Sequence, residues 1–117
     1  MRNSHVIVAV HRDRIVGSLR LTTKKPWAID RAMIKPVSRP LYLAGMAVAP
    51  DMQRKGIGML LLSRAEEIAR EWPAQSIVLD AYDADAGAGV FYEKCGYREI
   101  GRKAYKGDPL RYYELLL

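Results

Sequence analysis

The segment from Leu41 to Trp72 constrains the fold more than any other part of the sequence. Its first nine residues, LYLAGMAVA, are apolar at both odd and even positions, which predicts a strand over Leu41–Ala49 that is buried on both faces. Gly45 lies in the middle of that strand and indicates a β-bulge or a close approach of another backbone. Apolar residues at spacings of three and four then predict a helix from Gly56 to Trp72, which Pro73 ends. A buried strand followed by an amphipathic helix is typical of an α/β protein.

Shorter patterns predict the remaining elements. Five more strands are expected where β-branched or apolar runs lie between turn residues: His5–Val10, Ile15–Leu21, Ser76–Leu79, Tyr97–Gly101 and Arg111–Leu117. Thr22–Pro40 is interrupted by prolines and is expected to be a loop with one short strand. Asp85 is expected to cap a second helix that runs to Cys95, and a turn at Lys106–Pro109 joins the last two strands. The order strand, strand, strand, helix, strand, helix, strand, strand predicts a mixed sheet in a single domain of residues 1–117.

Composition narrows the classes of function. The 117 residues carry a net charge of +6, which favours acidic partners: nucleic acid, an acidic membrane or a phosphorylated cofactor. The basic residues form no run of five and do not alternate with aromatic residues, so a nucleic-acid partner is not expected. The polar N-terminus and the lack of a long apolar stretch predict neither a signal peptide nor a membrane span. Since the single cysteine, Cys95, has no partner for a disulfide within the chain, a cytoplasmic protein is expected.

Residues 53–59, which read QRKGIGM, connect the central strand to the helix and predict an anion site. The first amides of a helix have no partner within the helix, and they lie at the positive end of its dipole. Gly56 and Gly58 would let a phosphate approach those amides, while Arg54 and Lys55 add positive charge. The spacing fits neither a P-loop nor a Rossmann fingerprint, in which a small residue would replace the leucine three positions after the second glycine. A tight turn without a ligand is the alternative interpretation.

Two motifs, in this order, resemble those of one protein family. Met46–Gly58, which reads MAVAPDMQRKGIG, is similar to the acetyl-CoA signature of the GCN5-related N-acetyltransferases: Gln or Arg, two residues, Gly, one residue, then Gly or Ala. Val90–Tyr97, which reads VFYEKCGY, resembles the later FYEK-x-GF motif of that family. The resemblance implies an α/β fold with a mixed, mostly antiparallel twisted sheet, a central strand that is splayed near Gly45 and Met46, and helices on the faces of the sheet.

The same resemblance implies an acetyl-CoA-dependent N-acetyltransferase, which moves an acetyl group directly to a primary amine of a small molecule or a protein. Acetyl-CoA is then a co-substrate, and no metal is expected. A coenzyme A-binding regulatory domain without catalysis is the alternative, and a basic nucleic-acid-binding domain is a third and weaker hypothesis. Members of the family usually begin with one more strand and two helices, whereas the first strand is expected here within a few residues of Met1. The chain is then a minimal form shortened at the N-terminus, a fragment, or one subunit of a homodimer that completes the acceptor site.

The resemblance also implies which residues bind acetyl-CoA. Backbone groups of Met46 and Val48 are expected to hold the pantetheine arm, and amides from Gln53 to Met59 are expected to hold the diphosphate. The full set of expected cofactor-binding residues is Met46, Ala47, Val48, Gln53, Arg54, Lys55, Gly56, Ile57, Gly58, Met59 and Asp85. Asp85 is included because it stands where the family often has an asparagine that contacts the cofactor.

Acetyl transfer from a thioester to an amine needs a donor to the oxyanion, an acid for the departing thiolate and a base for the amine. The resemblance gives the first role to the backbone N–H of Met46. Tyr92 is the expected acid, because a phenol with a pKa of about 10 can donate a proton to a thiolate whose conjugate acid has a pKa of about 8.5. The base stays open among Asp80, Asp83 and Asp85, although the first two are interpreted more simply as solvated loop charges, and the third as a helix cap.

Overall fold

The computed structural model describes residues 4–30, 32, 39–83 and 88–117. These residues form six strands, two α-helices and one 3-10 turn: β1 (Ser4–His11), β2 (Arg14–Thr22), β3 (Pro40–Val48), the 3-10 turn (Pro50–Met52), α1 (Ile57–Glu71), β4 (Ser76–Tyr82), α2 (Gly89–Lys94), β5 (Arg98–Tyr105) and β6 (Asp108–Leu116). The predicted order of strands and helices is confirmed for the described residues. No helix within those ranges is long and apolar enough to cross a lipid bilayer.

All six strands belong to one sheet, in the order β1-β2-β3-β4-β6-β5. Neighbouring strands are antiparallel except β3 and β4, which run parallel. β3 and β4 pair only between Pro40–Tyr42 and Ser76–Val78, so the two strands separate from Leu43 onwards. The predicted splayed central strand is confirmed, and it opens two residues earlier than expected. The predicted burial of β3 on both faces is confirmed only for Leu41–Leu43, because β4 does not run beside the outer half of β3.

A bulge in β3 lies inside this separation. Ser18 of β2 pairs with Ala47 of β3, and Arg20 pairs with Ala44, so three residue steps on β3 lie opposite two on β2. Gly45 has a φ of 64°, in the left-handed region where a residue without a Cβ is least strained. The bulge predicted from Gly45 is confirmed, and a bulge bends the strand that contains it.

Both described helices pack against the same face of the sheet. Ile77 of β4, for example, belongs to one core with the buried side of α1 and with Tyr92 of α2. The opposite face has a smaller core, formed by Ile29, Tyr42, Val78, Leu110 and Tyr112. The Tyr112 hydroxyl donates a hydrogen bond of 2.6 Å to the carbonyl of Ala28, which holds the loop after β2 against that face. The sequence predicts helices on the faces of the sheet, but in the described structure a loop takes the second face, and residues 23–30 of that loop contain no strand.

Boundaries differ from their predicted positions by three or more residues at three strands. β5 continues four residues beyond its predicted end, to Tyr105. β4 continues three residues beyond its predicted end, to Tyr82. β6 begins three residues earlier than predicted, at Asp108, because Lys106 and Gly107 both have positive φ (51° and 86°) and close a two-residue hairpin turn. α1 agrees with its prediction within one residue at each end. The predicted cap Asp85 lies outside the described residues.

Candidate functional site

A groove, which we call the α1 groove, lies between the end of β3, the start of α1 and one side of α2. Its volume is about 720 Å³. The residues that line it are Met46, Ala47, Val48, Met52, Gln53, Arg54, Gly56, Ile57, Gly58, Met59, Ala88, Phe91, Tyr92 and Lys94. Residues that are distant in the sequence therefore meet along one concave surface, which is the usual form of a ligand site.

The turn that leads into α1 presents backbone amides to this groove. Gly56 precedes the first residue of α1 with a φ of 83°, and Arg54 also has a positive φ, of 63°. Among the described residues, no side chain forms a capping hydrogen bond to the first turn of α1. Its amides therefore remain available as donors at the positive end of the helix dipole. Arg54 and, from α2, Lys94 add positive charge to the same groove, so the geometry fits a phosphate or a diphosphate.

The two glycines of the turn are required for different reasons. A Cβ on Gly56 would meet no atom within 4 Å, so the positive φ is what favours glycine there. A Cβ on Gly58 would lie 3.0 Å from Cζ of Phe91 and 3.2 Å from Cε of Met46. The sequence predicts that both glycines make room for a phosphate, and the structure adds that Gly58 makes room for these two side chains.

Hydrogen bonds fasten the turn to the strand before it. The Gln53 side-chain amide donates a bond of 3.1 Å to the carbonyl of Val48. The Ala49 amide donates a bond of 2.7 Å to the carbonyl of Val16 on β2. The bulged end of β3 and the turn therefore form one connected wall of the groove.

A second cavity, which we call the strand gap, fills the space where β3 and β4 separate. Its volume is about 520 Å³, and its lining is Pro26, Leu43, Ala44, Gly45, Met46, Asp80, Ala81, Tyr82, Ala88 and Tyr92. Met46 and Ala81 pack against the helix-side core, whereas Asp80 and Tyr82 alternate with Ala81 along β4 and point to the other face. The strand gap is therefore an opening through the sheet. It shares Met46, Ala88 and Tyr92 with the α1 groove, so the two cavities meet at these residues.

Tyr92 is held at this junction by aromatic packing. Its ring lies 5.5 Å from that of Phe91, 5.8 Å from that of Tyr97 and 5.9 Å from that of Tyr113, measured between centroids. Its hydroxyl lies 3.7 Å from Sδ of Met46. Burial, with a smaller contribution from the charge of Asp80, raises the pKa of Tyr92, so the phenol keeps its proton in neutral solution.

The acidic residues considered as bases differ in their surroundings. Asp80 is part of β4 and is half-buried in the strand gap, so its interpretation as a solvated loop charge is wrong. Burial raises the pKa of this carboxyl. Asp83 accepts a hydrogen bond of 2.6 Å from Nε of Arg111 and is neutralised by it. Asp85 lies outside the described residues. Burial also raises the pKa of the Cys95 thiol, which disfavours a thiolate nucleophile at that position.

With two exceptions, the residues predicted from the sequence line the α1 groove. Lys55 is exposed and is not among the described residues that line either cavity, and Asp85 falls in an undescribed segment. Sequence reasoning missed Met52, Phe91 and Lys94. Phe91 and Lys94 are three residues apart in the second motif and share one side of a helix, which is the signal that could have found them. Met52 carries no such signal.

Comparisons with known proteins agree on one family. The family profile for the acetyltransferase (GNAT) domain matches residues 2–99. Over 96 residues the chain is 29% identical to GCN5-related N-acetyltransferase 10, chloroplastic, of Arabidopsis thaliana, a match that covers 82% of this chain and 35% of the relative. Over 60 residues it is 35% identical to glucosamine 6-phosphate N-acetyltransferase of Schizosaccharomyces pombe, with 51% of each chain covered. The chain thus spans about a third to a half of these relatives.

The fold is also similar to that of solved structures. An acetyltransferase of Bacillus anthracis str. Ames, solved in complex with acetyl coenzyme A, superposes with a TM-score of 0.81 at 24% identity. The superposition covers 100% of this chain and 64% of that one. The fold of this chain is therefore that of a solved structure.

Proposed function

The chain belongs to the GNAT acetyltransferase family, and from this premise we propose that it is an acetyl-CoA-dependent N-acetyltransferase, which transfers the acetyl group directly to a primary amine of a small molecule or a protein. The observation that carries the proposal is the meeting of the α1 groove and the strand gap at Met46 and Tyr92. A thioester held along the groove would have its reactive end at the opening, where an amine can reach it.

The α1 groove fits acetyl-CoA in both charge and shape. The diphosphate would accept hydrogen bonds from the first-turn amides of α1, with Arg54 and Lys94 nearby. The pantetheine arm would lie along the outer half of β3, where β4 no longer supplies a neighbouring strand and backbone groups such as those of Met46 are available. The Val48 carbonyl accepts one bond from Gln53 and has a second lone pair for the ligand. The cofactor contacts of Lys55 and Asp85 stay predictions from the sequence.

At the junction the chain supplies two of the groups that acyl transfer needs. We assign the developing oxyanion to the Met46 N–H, because the bulge disrupts the ladder at this position. Tyr92 would protonate the departing thiolate. Burial raises the pKa of Tyr92, so the phenol stays protonated at neutral pH and has a proton to donate to the thiolate.

Replacing Tyr92 by Phe tests this assignment. We expect kcat to fall about 100-fold, which is the lower range for loss of a general acid. The Kd for acetyl-CoA should change less than about twofold, because the ring that lines the groove is kept. Thiol release with a panel of primary amines measures kcat, and calorimetric titration measures Kd. Tyr97→Phe is the matched control, since Tyr97 packs against Tyr92 but is not among the residues that line either cavity.

Three results would contradict the proposal at different levels. Wild-type turnover in Tyr92→Phe would remove Tyr92 as the acid. Binding of acetyl-CoA without amine-dependent thiol release would favour the alternative, a regulatory domain that binds coenzyme A. No binding at all would refute the α1 groove as the acetyl-CoA site.

A cytoplasmic location and a homodimer also stay predictions. The Arabidopsis relative is named as chloroplastic. The observation that bears on a homodimer is the edge strand β1, whose Val6, Val8 and Val10 are exposed along one face. Such a surface can contact a second copy of the chain.

A further inference from the structure

We propose that the amine acceptor enters the strand gap from the face opposite the helices, and that Asp80 binds its ammonium group and takes its proton. This inference rests on the acetyltransferase function proposed above. It identifies the acceptor as a cationic amine on an apolar skeleton.

Within the part of the chain that the structure describes, the lining of the strand gap reaches both faces of the sheet, and acetyl-CoA would occupy one of them. The mouth on the helix side opens at Met46 and Tyr92 into the α1 groove, which acetyl-CoA would fill. The other mouth is lined by Pro26, Asp80 and Tyr82 on the opposite face. The acceptor therefore reaches the thioester through the sheet, past Asp80.

Asp80 differs from the neighbouring carboxylates in its ion pairs among the described residues. Asp83 pairs with Arg111 at 2.6 Å, and Asp30 on the same side of the sheet pairs with Lys103 at 3.0 Å. No described residue forms an ion pair with Asp80, although it is half-buried. A half-buried carboxylate without a counter-ion is costly, and a bound ammonium group would offset that cost. Burial raises the pKa of Asp80 towards the range in which a base works best near neutral pH.

The rest of the strand-gap lining indicates what the amine is attached to. Pro26, Leu43 and Ala44 give the gap apolar walls, and Tyr82, which is 57% exposed, also lines it. An aromatic face attracts an ammonium group as well as apolar carbon. The described lining contains no Lys or Arg, so nothing in it would bind a phosphate or carboxylate on the acceptor. An arylalkyl or aliphatic amine fits this surface better than a phosphorylated one.

The proposed acetyl transfer conserves atoms and charge. The ammonium group gives one proton to the Asp80 carboxylate, and the neutral nitrogen forms a bond to the thioester carbonyl carbon while the Met46 N–H holds the oxyanion. The carbon–sulfur bond breaks, and the sulfur keeps the electron pair and takes the Tyr92 proton. Tyr92 regains a proton from the acylated nitrogen, and Asp80 releases its proton to water. One ammonium ion and one acetyl-CoA give one N-substituted acetamide, one free coenzyme A thiol and one proton.

The test compares Asp80→Asn with the wild type, using phenethylamine as the acceptor. We expect kcat/KM for phenethylamine to fall about 100-fold and the Kd for acetyl-CoA to stay within about twofold of the wild-type value. The loss should shrink as the pH rises towards the pKa of the amine, because a neutral amine no longer needs the base. Asp80→Glu should recover part of the rate. Asp13→Asn is the matched control, since Asp13 lies in the turn between β1 and β2 at a φ of 63°, which asparagine tolerates.

A binding measurement tests the acceptor subsite at Asp80 independently of acetyl transfer. In an NMR titration of the coenzyme A complex, phenethylamine should bind at least about tenfold more tightly than phenethyl alcohol, and Asp80→Asn should abolish that preference. An active wild type with an unchanged kcat/KM and pH profile in Asp80→Asn would overturn the subsite while the acetyltransferase function stands. An inactive wild type would overturn the function. In that case, equal affinity of the wild type and Asp80→Asn for phenethylamine would overturn the subsite as well.

Discussion

Separate replacement of Gly56 and Gly58 by alanine should give two different phenotypes, although the glycines are one residue apart. Gly56 is required by its backbone conformation, because its φ is 83° and its surroundings are open. Gly58 lies inside the helix, and a Cβ there would meet Phe91 and Met46, which both line the α1 groove. We therefore expect Gly56→Ala to lower stability, and Gly58→Ala to lower affinity for acetyl-CoA.

The stability change for Gly56→Ala follows from the backbone. A residue with a Cβ in the left-handed region costs about 1–2 kcal/mol. Alanine also lowers the conformational entropy of the unfolded chain, which offsets about 0.5–1 kcal/mol of this cost. The net loss is about 1 kcal/mol, which lowers the Tm of a 117-residue protein by about 4 °C.

The binding change for Gly58→Ala follows from the short contacts. Carbon atoms pack at about 3.5–4.0 Å, so contacts of 3.0 and 3.2 Å would push the Phe91 ring and the Met46 methyl group back by roughly 0.5 Å. The higher helix propensity of alanine, about 1 kcal/mol, offsets most of the cost of this repacking. Stability should therefore change by less than about 1 kcal/mol, while the displaced groove wall weakens acetyl-CoA binding about tenfold, or about 1.4 kcal/mol.

Urea unfolding measures the first effect and calorimetric titration measures the second, with both variants in both assays. Gly56→Ala as stable as the wild type would refute the argument from φ. Gly58→Ala with wild-type affinity would mean that Phe91 and Met46 do not shape the part of the groove that the ligand occupies. Loss of more than about 3 kcal/mol in Gly58→Ala would mean that the two side chains cannot move aside, and that core packing rather than the groove requires the glycine.

Two further predictions concern stability and pH. Burial raises the pKa of Tyr97 far above its ordinary value, and its buried hydroxyl has no hydrogen-bond partner among the described residues, so Tyr97→Phe should raise stability at pH 7 by about 1 kcal/mol. Because Tyr97 ionises near pH 10 only in the unfolded state, the wild type loses stability above that pH, and Tyr97→Phe should lose less. Thermal unfolding at about pH 7 and about pH 10.5 measures both effects. A lower Tm for the variant than for the wild type at pH 7 would contradict the prediction. A hydrogen bond from Arg14, 2.5 Å long, lowers the pKa of Asp51, so its contribution to stability is present at neutral pH and lost as the pH falls through the folded-state pKa. Asp51→Asn should therefore be less stable than the wild type at pH 7 but not at about pH 2, and a difference in urea unfolding that persists in acid would mean that the charge is not responsible.

The local parts of the fold could be predicted because local periodicity determines them. α1 repeats its apolar residues at helical spacing, and Gly45 marks a bulge by the absence of a Cβ. The position at which β3 and β4 separate could not be predicted, because it depends on a register between strands that lie more than 30 residues apart. The hairpin turn at Lys106 and Gly107 was placed too broadly, since a proline two positions later resembles a turn residue but pairs within β6.

In the candidate site too, features that depend on local sequence could be predicted and features that depend on distant strands could not. Two motifs predict the turn of residues 53–59 and the position of Tyr92, whereas the residues around Asp80 predict a solvated loop charge. Its role as a wall of the strand gap depends on β4 extending to Tyr82 and on β3 having moved away. The residues next to Asp80 in the sequence indicate neither fact, because the burial of Asp80 depends on the arrangement of the whole sheet.

The short register between β3 and β4 has a mechanical consequence. Among the described residues, strand pairing between one half of the sheet, β1-β2-β3, and the other half, β4-β6-β5, is limited to Pro40–Tyr42 and Ser76–Val78. A ligand lying between the outer halves of β3 and β4 would bridge the two halves in place of the missing backbone ladder. Free coenzyme at 100 times its Kd would then stabilise the folded state by about 2.7 kcal/mol, and it would do so at the joint where the sheet is weakest. Bound acetyl-CoA would therefore stabilise the fold as well as serve as the substrate of the enzyme. The sheet would become less stable each time the product leaves.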